Sequence, residues 1–376
     1  MKIVFISNFF NHHQKPLSDA LFSMEEIEYH FLAFTALPDE RKKMGYLMDD
    51  IPSYVCNVWE NNRIWCEGER LLAQADVVIA GSAPESVVQN CLKRNQLVIR
   101  YSERPLKNGL QPLKYLPRLI RWHQRNPHNK RIYMLCASAY TAADYRMFFL
   151  FQNRAYRWGY FPETKRYEDI KAVLAQKEDR QLLWCGRFLD WKHPDDAIRL
   201  AKRLREAGYR FQLKVIGRGE MEAQLYQMVS QWKLEEYVSF CGTMKPEQVR
   251  QMMERSGIYL FTSDRKEGWG AVLNEAMNSG CAVVASDEIG SVPYLVKDCE
   301  NGLIYRSGDM DGLFERVKQL LDDPSQQARL GSAAYQTILD EWNAEVAAER
   351  LVKLAYNLLN DSKTELFMDG PCSKVE

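Results

Sequence analysis

The hydrophobic pattern of this chain is a succession of short apolar runs separated by amphipathic stretches. Strand-length runs fall at 2–8, 29–34, 53–58, 75–81, 97–103 and 131–138 in the first half. In the second half they fall at 181–187, 212–217, 238–242, 257–262, 282–286 and 302–305. Most are continuous rather than alternating, which predicts parallel strands covered on both faces. Segments of helical period lie between them. The segment 246–256 opens on Pro246 and stops at Gly257, the asymmetry expected of helix ends. Asp309 precedes 310–321 as an N-cap candidate. This alternation predicts an α/β chain of two Rossmann-like, doubly wound parallel-sheet domains in tandem, facing a central cleft. Ligands bind beyond the C-terminal ends of such strands.

The seam is expected within 159–180. An N-terminal domain then spans 1–160 and a C-terminal domain 161–343. A helix at 344–360, announced by Trp342, is long enough to cross back to the first domain. The polar segment 361–376 reads as a loose tail.

Length and composition narrow the classes. A chain of 376 residues suits two domains. Fifty Lys and Arg balance fifty Asp and Glu, so the chain as a whole is not a nucleic-acid binder. No apolar run reaches bilayer length. The first residues, Met1-Lys2-Ile3-Val4-Phe5-Ile6-Ser7, read as a strand rather than a secretory leader. The cysteines show no metal-ligand spacing, and Cys136, Cys185, Cys241 and Cys281 sit in or beside apolar runs. That predicts free thiols and a cytoplasmic location.

Charge is balanced overall but segregated locally. Between Arg104 and Ala143 there is no Asp or Glu. The same stretch carries Lys107, Lys114, Arg118, Arg121, Arg125, Lys130 and Arg131, interleaved with Leu110, Leu113, Leu116, Leu119, Ile120 and Trp122. A basic amphipathic surface suits an anionic membrane, so 104–131 is expected to make peripheral contact with the inner face of the cell membrane. An ordinary solvated helix with one buried side is the alternative.

The candidate chemistry concentrates in the second half. Glu267 and Glu275 bracket Gly268-Trp269-Gly270, directly after the apolar run that ends at Thr262. Trp269, Val272, Leu273, Ala276 and Met277 share helical spacing, with Gly280 as a stop. A glycine-led helix start is an anion site. Carboxylates beside it offer acceptors for hydroxyl groups, and phosphate plus polyol describes a nucleotide sugar. Eight residues at helical rise span about 12 Å, the reach from the sugar to the ribose of such a molecule. Two surface acids near a helix start are the plainer alternative. Arg187 and Lys192 follow another strand; such a pair neutralises a diphosphate, with solvated surface cations, for Lys192 above all, as the alternative. Gly217, Gly242 and Thr243 close two more strands and allow a ligand close to the backbone.

Taken in order, Gly186-Arg187 with Lys192, Ile216-Gly217-Arg218-Gly219, Phe240-Cys241-Gly242, Thr262-Ser263 and the Glu267/Glu275 pair resemble the donor domain of retaining GT-B glycosyltransferases of the family 4 type. The resemblance covers about 180–345. It implies an enzyme that takes a nucleotide-sugar donor, UDP- or GDP-linked, and a glycan or lipid-linked glycan acceptor in cell-surface polysaccharide or lipopolysaccharide synthesis. Arg187 and Lys192 would hold the diphosphate, Glu267 the sugar hydroxyls and Glu275 the ribose diol. Amides of Gly268, Trp269 and Gly270 would line the sugar and phosphates. No metal and no other cofactor is implied, because the cations take the metal's place. A nucleotide-sugar epimerase or a phosphorylase on the same architecture remains open, as does a non-catalytic glycan- or nucleotide-binding subunit.

The first half matches the family less closely. Its first strand ends in Asn11-His12-His13-Gln14 without the usual glycines. These four side chains line the acceptor side or else cap the next helix. Ser102, Glu103 and Arg104 end another strand. Related enzymes place a polar catalytic or acceptor-side residue here, often histidine; Glu103 and Arg104 occupy that place, with a local surface pair as the alternative.

Overall fold

The computed structural model describes residues 1–39, 48, 50–362, 364 and 366–375. The chain divides into two compact units, Met1–Glu163 with Glu341–Glu376, and Thr164–Asp340. The chain passes between the units at 163/164 and again at 340/341.

The first unit holds β1 (Lys2–Ser7), β2 (Glu28–Ala33), β3 (Val55–Asn57), β4 (Val77–Ala80), β5 (Leu97–Ser102), β6 (Ile132–Cys136) and β7 (Ala155–Arg157). They form one parallel sheet in the order β3-β2-β1-β4-β5-β6-β7. The second unit holds β8 (Glu178–Cys185), β9 (Gln212–Ile216), β10 (Val238–Gly242), β11 (Ser256–Phe261), β12 (Ala282–Ser286) and β13 (Leu303–Tyr305), in the order β10-β9-β8-β11-β12-β13. The continuous apolar runs are central strands. Val4, Ile6, Val78 and Val98 are fully buried in the first sheet, and Leu182, Ile258, Leu260 and Val284 in the second. Burying each such side chain contributes about 1.5–3 kcal/mol.

Helix ends follow their signals. Asp309 accepts from the backbone N–H groups of Asp311 (3.1 Å) and Gly312 (2.9 Å), capping Met310–Asp322. The helix Ala344–Leu359 packs on Lys15–Phe22 within the first unit. Trp342, buried just before it, lies parallel to Phe161 at 6.4 Å.

Two features differ from expectation, and they explain each other. Strand β7 has no counterpart among the apolar runs, because only Ala155 of its three residues is buried. The segment 361–376, expected to be loose, docks its described end on that strand. Arg157 N–H donates to Ser373 O (2.7 Å), Cys372 N–H to Arg157 O (2.8 Å) and Val375 N–H to Ala155 O (3.0 Å). Cys372 and Ser373 are buried. The tail thus satisfies backbone groups that an edge strand would leave open.

Candidate active site

The second sheet reverses direction between β8 and β11: the chain first steps outward to β9 and β10, then returns to the other side of β8. Loops leaving adjacent strands at such a point diverge and leave a crevice. Arg187 and Lys192 lie on the loop after β8, and Glu267 to Gly270 on the loop after β11. The topology therefore brings together the residues that the motifs single out.

The two loops are tied at several points. Trp184, in β8, donates its indole N–H to Thr262 Oγ1 (2.8 Å). Thr262 Oγ1 in turn lies 2.8 Å from Lys192 O and 2.9 Å from His193 O. Asp264 N–H donates to Trp191 O (2.9 Å). His193 takes the left-handed conformation, φ +48°, which turns the chain into the helix Pro194–Glu206. Across this seam the Lys192 ammonium pairs with Glu267, while standing 4.6 Å from the centre of the Trp191 ring. Ser263 Oγ donates to Glu267 Oε2 (3.1 Å), and Gly290 N–H lies 3.3 Å from Glu267 O. Glu267 is buried, yet its carboxylate is paired and hydrogen-bonded, the condition for holding charge away from water.

Arg187 is exposed and has no ion-pair partner among the described residues. Glu275 stands in the first turn of the helix Val272–Asn278. Burial raises its carboxyl above the usual range, with the Arg250 charge acting in the opposite sense. Both glutamates act on one phenol: burial lifts the Tyr259 hydroxyl well above its ordinary value, and the charges of Cys185, Glu275, Cys281 and Glu267 add to the shift.

The helix expected from Trp269 onward starts later, at Val272. Gly270 takes φ +83°, and a Cβ there would stand 2.3 Å from Phe261 Cζ, so the chain turns before the helix can begin. Trp269 is fully buried in this turn and donates its indole N–H to Asn274 Oδ1 (2.8 Å). The helix is only seven residues long. Gly217, at φ +134°, crosses so close to β8 that a Cβ would meet Gly186 O at 1.8 Å. Its N–H donates to Gly242 O (2.8 Å). Gly242 and Thr243 end the outermost strand, two strand spacings or about 10 Å from β8.

Motif reading missed Trp184, His193, Ser263 as the donor to Glu267, and Asn274. Trp184 carried one signal, since a buried indole N–H needs an acceptor.

In the first unit the candidates lie at the C-terminal ends of β1 and β5, with β4 between. Asn11 Oδ1 accepts from His13 N–H (2.9 Å), and Gln14 Oε1 from Asn11 N–H (3.1 Å), so these two side chains fold the loop onto itself ahead of Lys15–Phe22. The rings of His12 and His13 lie 4.0 Å apart, and burial lowers the His12 pKa. Ser102 Oγ donates to Glu103 O (2.7 Å). Glu103 and Arg104 are not a pair. Glu103 accepts from the Tyr160 hydroxyl (2.6 Å) and pairs with Lys107, whereas Arg104 reaches buried Asp144 at 3.2 Å. Among the described residues, no three His, Cys, Asp or Glu gather as a metal site, and no helix is long and apolar enough to cross a membrane. All nine cysteines are free thiols.

Known proteins resemble this chain in sequence and fold. The profile of the family described as glycosyl transferases group 1 matches residues 165–337. The chain is similar to N-acetyl-alpha-D-glucosaminyl L-malate synthase of Bacillus anthracis, 25% identical over 51% of this chain and 49% of that protein. It is also similar to the amylovoran biosynthesis glycosyltransferase AmsK of Erwinia amylovora, 26% identical over 50% and 48%. The match thus spans about half the length of these curated relatives. Among solved structures, HepE of Anabaena in complex with UDP superposes with a TM-score of 0.70, at 14% identity, over 95% of this chain and 100% of that one. TarM of S. aureus gives 0.68 at 12% identity over 96% and 98%. These likenesses establish the GT-B type of fold. Residues 165–337, a little under half of the chain, carry the likeness to the glycosyl transferases group 1 family.

Proposed function

We propose that this protein is a retaining glycosyltransferase. It moves a sugar from a nucleotide-activated donor, UDP- or GDP-linked, to a glycan or lipid-linked glycan acceptor in cell-surface polysaccharide or lipopolysaccharide synthesis. The observation that carries this reading is the Lys192–Glu267 pair at the reversal point of the second sheet, with exposed Arg187 on the same loop. Without donor, each charge serves as partner to the other. With donor, a phosphate oxygen takes over Lys192 and a sugar hydroxyl takes over Glu267. Neither charge then has to be desolvated anew.

Bond cleavage leaves negative charge on the diphosphate. Arg187 and Lys192 stabilise it without a metal, and Gly268 to Gly270 supply backbone N–H groups beside it. Glu275 takes the ribose diol, and Gly217, Gly242 and Thr243 leave room for the nucleotide. The acceptor side rests on the ends of β1 and β5, with Glu103 as the candidate polar group. HepE solved with UDP-glucose and the amylovoran glycosyltransferase support the substrate classes. A cytoplasmic location with contact to an anionic membrane through 104–131 completes the reading.

The test is a donor-consumption assay with NMR assignment of the product anomer. Glu267→Ala and Arg187→Ala are expected to lose nearly all transfer while staying folded. Wild-type turnover in either variant refutes the site. Turnover that needs free phosphate, or no acceptor, would assign a phosphorylase or an epimerase.

A further inference from the structure

We infer that the surface formed by 110–120 and the turn 147–149 is an apolar wedge that enters the interfacial layer of an anionic phospholipid membrane. This rests on the membrane part of the proposed function and changes its basis. In sequence, 104–131 is a basic stretch. In space, much of that charge is already partnered. Arg104 pairs with Asp144 (3.2 Å), Lys107 with Glu103, and Arg125 lies 3.9 Å from Glu85. Arg131 donates to Leu358 O (2.6 Å) and Leu359 O (2.7 Å) at the end of the helix Ala344–Leu359. Lys114, Arg118 and Arg121 keep no ion-pair partner among the described residues, and Arg118 leans over the Trp122 ring at 5.5 Å.

The same segment also exposes apolar side chains. The helix Tyr115–Arg125 turns Tyr115, Leu119 and Trp122 towards the core. It still presents a second apolar side to solvent: Leu116 is 61% exposed and Ile120 53%, four residues apart on the helix. Leu113, 96% exposed, stands in the 3-10 turn Pro112–Lys114 that leads into it. A helix apolar beyond its core-facing side lacks a partner.

A distant segment adds to the same patch. Tyr115 donates its hydroxyl to Met147 O (2.9 Å) and stacks on Phe148 at 4.9 Å. Beside them Phe149 is 61% exposed and held at φ +57°, a conformation a bulky side chain rarely adopts. Exposed leucine, isoleucine and phenylalanine, with unpaired lysine and arginine on the same segment and no acid between Arg104 and Ala143, are complementary to acyl chains below anionic headgroups.

Co-sedimentation with phosphatidylcholine vesicles, with and without about one third phosphatidylglycerol, tests this at low and physiological salt. The triple variant Leu113→Ser/Leu116→Ser/Ile120→Ser should lower partitioning onto anionic vesicles at least about tenfold, because several buried methylenes are lost. Phe149→Ser should lower it about threefold, an independent check should the triple variant fold poorly. Whichever of UDP and GDP binds should raise the melting temperature of the wild type and of both variants equally. Undiminished binding by the folded variants overturns the wedge and leaves simple basic attraction. No vesicle binding by the wild type overturns both, without touching the transferase reading. Self-association that disappears in the variants, without lipid binding, assigns the face to a second copy of the chain and overturns the wedge.

Discussion

The Lys192 ammonium and the Glu267 carboxylate form an ion pair that joins the loops leaving β8 and β11. Their side chains keep only 14% and 11% exposure, so each is the main counter-charge of the other. Removing one partner of a buried pair costs about 3–5 kcal/mol. Residual solvent access and the Ser263 donor reduce this to about 2 kcal/mol for Lys192→Met. Glu267→Gln should cost about half as much, because its amide still accepts from Ser263. Urea denaturation measures both, and both variants should lose at least about a hundredfold in transfer rate.

Arg187 has the opposite profile. It is exposed and unpaired among the described residues, so Arg187→Ala should change stability by no more than about 0.5 kcal/mol. Donor turnover should fall about a hundredfold or more. A thermal melt run beside the transfer assay separates the two effects.

Glu275 should carry a pH signature. Burial raises its carboxyl above the unfolded reference of 4.5. The folded state therefore binds its proton more readily than the unfolded state, and stability falls as pH rises between the two values. Above the folded pKa the penalty is complete; below the unfolded one it vanishes. Glu275→Gln should thus stabilise the free protein at neutral pH, with the gain fading as the solution is acidified. The same variant should bind nucleotide more weakly. Denaturation midpoints across pH 4 to pH 8 read the first effect and calorimetry the second.

Gly217 sets how closely β9 can pass the end of β8. Its φ of +134° and the 1.8 Å approach of a Cβ to Gly186 O leave no room for a side chain. Gly217→Ala should destabilise by more than about 3 kcal/mol, or prevent folding, whereas Gly208→Ala, whose Cβ would meet nothing within 4 Å, should cost far less. Soluble yield and urea midpoints distinguish the two.

The strands were legible because parallel strands covered on both faces leave continuous apolar runs. β7 was not, since three residues with one buried alanine leave no periodic trace, and its cover comes from Cys372 to Val375, more than two hundred residues downstream. The order of strand-end motifs singled out Arg187, Lys192, Glu267 and Glu275, and the structure sets Lys192 against Glu267. That order could not show that Trp269 packs inside a turn, because the apolar spacing from Trp269 to Met277 is the same for a helix and for a turn followed by one. Local charge misled for a similar reason. The run from Arg104 to Arg131 contains no acid, yet Asp144, Glu85 and Glu103 reach it from flanking elements.

The proposed nucleotide-sugar site is tested most directly by calorimetric titration of UDP and GDP into the metal-free protein, with Arg187→Ala and Glu275→Ala alongside. The expected result is binding of one of the two nucleotides at one site per chain in the presence of a chelator, weakened about tenfold or more in each variant. Equal affinity in the wild type and both variants, or no binding of either nucleotide, would contradict it.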